Sequence, residues 1–236
     1  RQRQMCIRDR LQVTRDDGSF TVEAEVHGEH RTFVAEQLLV ATGRIPNTGG
    51  MGLEEAGVEL DAQGFLKVDA SLQTRVAGIF GAGNAVGAPA FVYTAAYEGA
   101  LAAENALSDV SRERDYTALP WVIFTDPQVA GVGMDEDEAA AAGYDAQGAT
   151  LPATRWPRLR VAQDMRGFLK LVRDRRTDHL LGARILAPEG GDLVTEIALA
   201  IRHGITAREL AGSFHPYLTL SEGIQRAAQR FTYNEP

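Results

Sequence analysis

At 236 residues and 25.6 kDa the chain can bury one large hydrophobic core or two modest ones. Its formal net charge of -8, with no basic block, argues against a nucleic-acid surface, which needs clustered Lys and Arg. No apolar run reaches the length of a membrane-spanning helix and no secretory h-region is present, so a soluble, cytoplasmic protein is expected, with no membrane partner.

Cys6 is the single cysteine, which excludes an internal disulfide and a cysteine metal cluster. It lies in "RQRQMCIRDR", a polar and basic stretch without period or cap that resembles translated sequencing-adapter sequence. Residues 1–10 are therefore expected to be a non-native leader on a chain that lacks its true N-terminal part.

From Leu11 the pattern is β-structure. Leu11, Val13, Phe20, Val22, Ala24 and Val26 alternate with polar residues, and "DDGS" and "HGEH" supply the turns. "QLLVAT", Gln37 to Thr42, is a continuous apolar run that predicts a strand buried on both faces. "GRIPNTGG" breaks the chain. Short strands are expected at "GFLKVD" (Gly64–Asp69) and "GIFGAGN" (Gly78–Asn84), the second running through a glycine-rich turn into a helix from Val92 to Leu107. The polar segment 108–118 is a linker. "PWVIFTDPQVAGVG" then predicts one strand, and "DEDEAAAAG" a short helix with an acidic first turn and Gly143 as its stop. "GFLKLVRD" and "LLGARILA" flank the turn "RRTD" as an antiparallel hairpin. A long helix follows with Asp192 as N-cap, the stripe Leu193, Ile197, Ala200, Ile201, and Gly204 at its end. That stripe broadens through Ala198 and Leu199, which predicts burial against another subunit.

Two stretches carry candidate chemistry. "GAGNAVG", residues 81–87, lies between strand and helix, where backbone N–H groups and a helix N-terminus can receive an anion or polar cofactor. It is not the G-x-G-x-x-G fingerprint, and a plain tight turn is the competing reading. "SFHPYLTLSEG", Ser213 to Gly223, crowds His215, Tyr217, Thr219, Ser221 and Glu222 together. Thr219 with Glu222 has the spacing of a capping box, and Leu220, Ile224, Ala227, Ala228 and Phe231 follow as one apolar helix face. A cap alone and an acid-base or metal site both fit this composition.

Taken in order, "LLVATGRIPNT", "GFLKVDASLQTRVAGIFGAGN", "FVYTAAYEGALAAENAL", "FTDPQVAGVG" and "PYLTLSEG" resemble the C-terminal half of the flavin-dependent pyridine nucleotide–disulfide oxidoreductases. The resemblance runs from about Leu11 to Phe231 and is nearest to the mercury-reducing branch, with the lipoamide-type disulfide reductases next. It implies an α/β plus α+β fold: the end of a flavoprotein fold with two dinucleotide-binding domains, followed by an α+β dimerisation domain. In those terms residues 11–46 would be the tail of the NAD(P)H-binding domain, 47–115 the C-terminal part of the FAD-binding domain, and 116–236 the dimerisation domain of a homodimer.

The same resemblance implies the site residues. Gly43 would lie near NADPH or NADH. Gly83 and Asn84 would form the FAD-binding turn, where Asn84 replaces an acidic residue that bonds the ribityl chain, at a cost on the order of 1 kcal/mol. Ala90, Phe91, Val92 and Tyr93 would face the isoalloxazine ring. In the disulfide reductases a His stands five residues before the Glu of the last helix and works across the dimer interface. Here that place is held by Tyr217, whose reference pKa of about 10 makes it a poor base. The mercury-reducing branch has Tyr at the same point, so Tyr217 is expected to hold or pass on Hg(II) and to form the catalytic half-site with Glu222, which also caps the last helix. His215 is expected to be a surface or packing residue. A small disulfide is the alternative acceptor. The chain ends "RFTYNEP" without the cysteine pair common in that branch, and the redox-active pair would lie upstream of these residues. The 236 residues alone are thus expected to be inactive, a dimerisation module as they stand, within a parent that is an enzyme.

Overall fold

The computed structural model describes residues 7–232; residues 1–6 of the expected leader, with Cys6, and residues 233–236 lie outside the described residues. The chain divides into two compact units between Arg112 and Glu113, inside the polar segment 108–118.

The first unit opens with an antiparallel sheet in the order β1 (Ile7–Asp16), β2 (Ser19–Val26), β3 (Glu29–Ala35). Its turns fall at Asp17–Gly18 and His27–Gly28, as "DDGS" and "HGEH" require. β1 begins at Ile7, so part of the expected leader pairs with β2; a backbone ladder asks little of side-chain identity. The two-faced buried strand expected at 37–42 does not form. No ladder partner lies beside it among the described residues, and Leu39 is 90% exposed. The strands expected near 64–69 and 78–84 shrink to isolated bridges, Leu60 to Leu66 and Gln73 to Phe80, within a loop held by Asp69, which accepts from the N–H groups of Ser71 and Gln73. α1 (Val92–Leu107) has the bounds its pattern predicts, and packs Leu101 and Ala102 against Leu72.

The second unit is a five-stranded antiparallel sheet in the order β4-β5-β8-β7-β6. Its strands are β4 (Trp121–Ile123), β5 (Gln128–Gly133), β6 (Ala146–Pro152), β7 (Phe168–Asp174) and β8 (Leu180–Ala187). The single strand expected over "PWVIFTDPQVAGVG" is thus two, β4 and β5, which pair with each other once the chain has turned at Thr125–Pro127. α2 (Glu136–Ala141) starts with a complete capping box between Asp135 and Glu138. α3 (Pro157–Ala162) places Pro at its first position.

α4 (Gly190–Arg202) lies on β4, β5 and β8. Its N-cap is Glu189 in a left-handed conformation without a side-chain bond, and not Asp192, which sits inside the first turn; the glycines at 190 and 191 let the helix start earlier than the acidic residue signals. Ala198 is buried within the chain and Leu199 is exposed, so one of the two residues thought to widen the stripe is covered by its own unit. α5 (Ala207–Gly212) and α6 (Glu222–Gln229) complete the layer, α6 reaching β6 and β7. Leu169, Leu171, Ile185, Ile197, Ile224, Ala227, Ala228 and the ring of Trp156 form one continuous core. Gly223 of α6 lies so close to the Trp156 indole that a β-carbon there would collide with it.

Candidate functional site

In the first unit the loop after residue 59 is tied back to the glycine-rich turn by Leu66 N–H to Ala85 O (2.8 Å) and Gly81 N–H to Leu72 O (3.0 Å). A 3-10 turn, Gly83–Val86, follows. Gly83 is buried at φ 67 with the place of a β-carbon 2.8 Å from Ala95 Cβ, so both conformation and space select glycine. Its N–H donates to Oε2 of Glu98 at 2.5 Å, from a side chain on α1 that is 2% exposed. The site reading from the sequence missed Glu98. Its signal was position: 94, 98, 101, 102 and 105 form the buried face of α1, and a carboxylate in that register needs donors.

Beside this turn opens a mainly apolar cleft of about 1050 Å³ that brings together Gly43, Asn84 and Ala90 with Arg44, Pro46 and Phe65. α1 points its N-terminus out of the same segment with no side-chain cap and no acidic residue in its first turn, so its leading N–H groups stay available to an acceptor. The other expected residues do not line the cleft. Gly83 is packed against Ala95, and Val92 is exposed. Phe91 and Tyr93 stack on each other at 5.0 Å and 7°. Partial burial pushes the Tyr93 phenol above its ordinary pKa. The Thr94 hydroxyl, on the buried face of α1, has no hydrogen-bond partner. An apolar cleft, a turn open only to glycine and an uncapped helix fit a group that joins a flat ring to polar oxygens, as a flavin does.

In the second unit the segment 213–222 joins α5 to α6. Thr219 Oγ1 accepts from the N–H of Glu222 at 3.2 Å, which is half of the expected capping box. The other half is replaced: Glu222, buried, accepts from Leu218 N–H at 3.0 Å and from Arg226 Nε at 2.8 Å. The chain bends at Leu218 (φ 62), which brings that N–H to the carboxylate in place of the N–H of Thr219. Tyr217 projects outward, 75% exposed, and its hydroxyl forms no hydrogen bond among the described residues. His215 is not at the surface. Its ring is 5% exposed and Nε2 lies 2.7 Å from Glu196 Oε1 on α4. No group of three or more His, Cys, Asp or Glu with metal-binding geometry occurs among the described residues, nor a helix long and apolar enough to cross a membrane.

The chain thus joins a glycine-rich turn leading into an uncapped helix, in its first unit, to a five-stranded antiparallel α+β second unit. Residues 7–99 match the family described as pyridine nucleotide-disulphide oxidoreductase, and residues 119–228 match its dimerisation domain. The chain belongs to the pyridine nucleotide–disulphide oxidoreductase family. It is 45% identical to a mercuric reductase of Acidithiobacillus ferrooxidans, over 94% of this chain and 40% of the relative. To a dihydrolipoyl dehydrogenase of Geobacillus stearothermophilus it is 39% identical, over 91% of this chain and 45% of that protein. The crystal structure of LpdA from Mycobacterium tuberculosis superposes with a TM-score of 0.86 at 30% identity, covering 94% of this chain and 48% of that one. The chain thus spans less than half the length of these relatives.

Proposed function

We propose that this chain belongs to an FAD- and NAD(P)H-dependent reductase whose terminal acceptor is Hg(II). The observation that carries the reading is Tyr217: an exposed phenol, without a hydrogen-bond partner among the described residues, at the place where a disulfide reductase needs a base. A phenol is a weak proton acceptor near neutral pH, but its oxygen can touch a metal ion in transit between thiolates, the soft ligands that hold it. The strong likeness to mercuric reductases points the same way.

The division of labour follows the two units. FAD, when bound, supplies the relay of electron pairs between the nicotinamide and a thiol pair. Gly83, Asn84 and Ala90 would hold it, with Phe91, Val92 and Tyr93 at the open helix end and Gly43 toward the nicotinamide nucleotide. Glu98 keeps the turn in shape from behind. Asn84 offers both a donor and an acceptor to a ribityl hydroxyl, without the charge that an acid would add. Residues 116–236 would form a homodimer and present Tyr217 to the partner's thiols. The exposed apolar side chains of Phe124, Leu199 and Phe214 give that unit surface to cover.

The test is acceptor-dependent oxidation of NADPH and NADH by the holoenzyme from the complete gene. Turnover with Hg(II)–thiol complexes is expected, and Tyr217→Phe is expected to lower it at least ten-fold while the rate of flavin reduction stays unchanged. Turnover with a small disulfide but not with Hg(II) would transfer the protein to the disulfide reductases and overturn the reading.

A further inference from the structure

Between α5 and α6 the chain turns its large side chains outward at Phe214 and Tyr217 and turns one inward, His215. An ionised carboxylate only accepts, so in the 2.7 Å contact the imidazole Nε2–H donates to Glu196 Oε1. The second ring nitrogen faces the Ser213 carbonyl oxygen at 3.4 Å. That oxygen is held from α6, where Gln225 Nε2 donates to it at 2.6 Å. On the other side of Tyr217, Leu218 gives its N–H to Glu222 at 3.0 Å. Tyr217 is therefore slung between two side-chain clamps, one to α4 through His215 and one to α6 through Glu222, while its own hydroxyl remains free of hydrogen bonds among the described residues.

Packing alone does not call for this. An apolar side chain would fill the space of His215 without needing a partner for a buried N–H. A bonded imidazole adds direction, since it ties the backbone next to Tyr217 to one point on a rigid helix.

We infer that His215 and Glu196 form a positioning pair for Tyr217, fixing the loop 213–218 to α4 so that the phenol is presented at one place. The inference rests on the reading of Tyr217 as the residue on the acceptor side. Loss of the pair leaves the phenol chemically intact but loosely placed, and misplacement of a contacting group by a fraction of an ångström is enough to slow a bound reaction.

A double-mutant cycle in the holoenzyme tests this, with Hg(II) turnover and flavin reduction measured separately. His215→Phe and the isosteric Glu196→Gln are each expected to lower kcat for Hg(II) roughly ten-fold without changing flavin reduction by NAD(P)H. His215→Gln keeps a donor for Glu196 and is expected to recover most of the loss. In the Tyr217→Phe background, His215→Phe is expected to have no further effect, because the pair acts only through that phenol. Hydrogen exchange gives a readout without turnover: the Leu218 amide should exchange faster in His215→Phe and return toward wild type in His215→Gln. A His215→Phe enzyme with wild-type kcat, or one that loses as much with Tyr217 absent as with it present, would overturn the positioning role alone. A Tyr217→Phe enzyme with full Hg(II) turnover would overturn both this role and the reading beneath it.

Discussion

Two strands of similar apolar content meet opposite fates. β7 carries Leu169, Leu171 and Val172 fully buried, whereas every residue of β3, Phe33 and Val34 included, is exposed. The second unit sets helices α4 and α6 against its sheet and closes one core, from Ala130 to Ala228. In the first unit Ala24 is the one buried residue of the three strands among the described residues, and the run Leu38–Val40 lies uncovered. Alternation of apolar and polar residues defines a face; it does not supply the layer that covers it. The second unit carries its own cover, and this makes it the self-contained half of the chain.

Substitutions can break that comparison. The largest effect is expected from Leu169→Ala, which opens a cavity at a site of 0% exposure and should cost about 3 kcal/mol in the second unit. Trp121 and Trp156, the only tryptophans, both lie there, so denaturant unfolding followed by their fluorescence reports on that unit. Next comes Gly83→Ala in the first unit, where φ 67 and the 2.8 Å approach to Ala95 both resist a methyl group. It should cost about 2 kcal/mol, and FAD titration should show affinity weakened roughly ten-fold.

A smaller effect depends on pH. The Thr206 backbone N–H and hydroxyl donate to Glu209 and hold its carboxyl below the ordinary pKa. With the folded value depressed, the stabilisation is present above the unfolded carboxylate pKa of about 4.3 and fades as pH falls through the folded value. The melting temperature of wild type should therefore exceed that of Glu209→Gln by a constant margin from neutral pH down to about 5, and the margin should close in stronger acid. A margin independent of pH would deny the ionised cap. Smallest of all is Leu39→Ala: at 90% exposure it should shift stability by less than about 0.5 kcal/mol, and a loss comparable to Leu169→Ala would mean the run is covered after all.

What the sequence revealed follows the same division. Period and punctuation located the turns of β1–β3, the full length of α1, the β7–β8 hairpin and the acidic first turn of α2, because each is decided within a few residues. β6 went unread because Gly148 and Pro152 interrupt its pattern, and α5 because the capping signature of Thr206 and Glu209 passed unnoticed. The strand at 37–42 failed for a different reason, since burial is set by neighbours that composition does not name. At the site, sequence order singled out Gly43, Asn84 and Ala90, which line one cleft, and Tyr217, which is exposed. Glu98 and the His215–Glu196 pair were invisible because both contacts are tertiary, 15 and 19 residues apart.

The claim that the second unit stands on its own as the dimer-forming half is tested most directly on residues 113–236 expressed without the first unit. Sedimentation equilibrium should give twice the mass of the single piece, and Trp121 and Trp156 should report one cooperative thermal transition. A monomer, or a piece that melts without cooperativity, would contradict it.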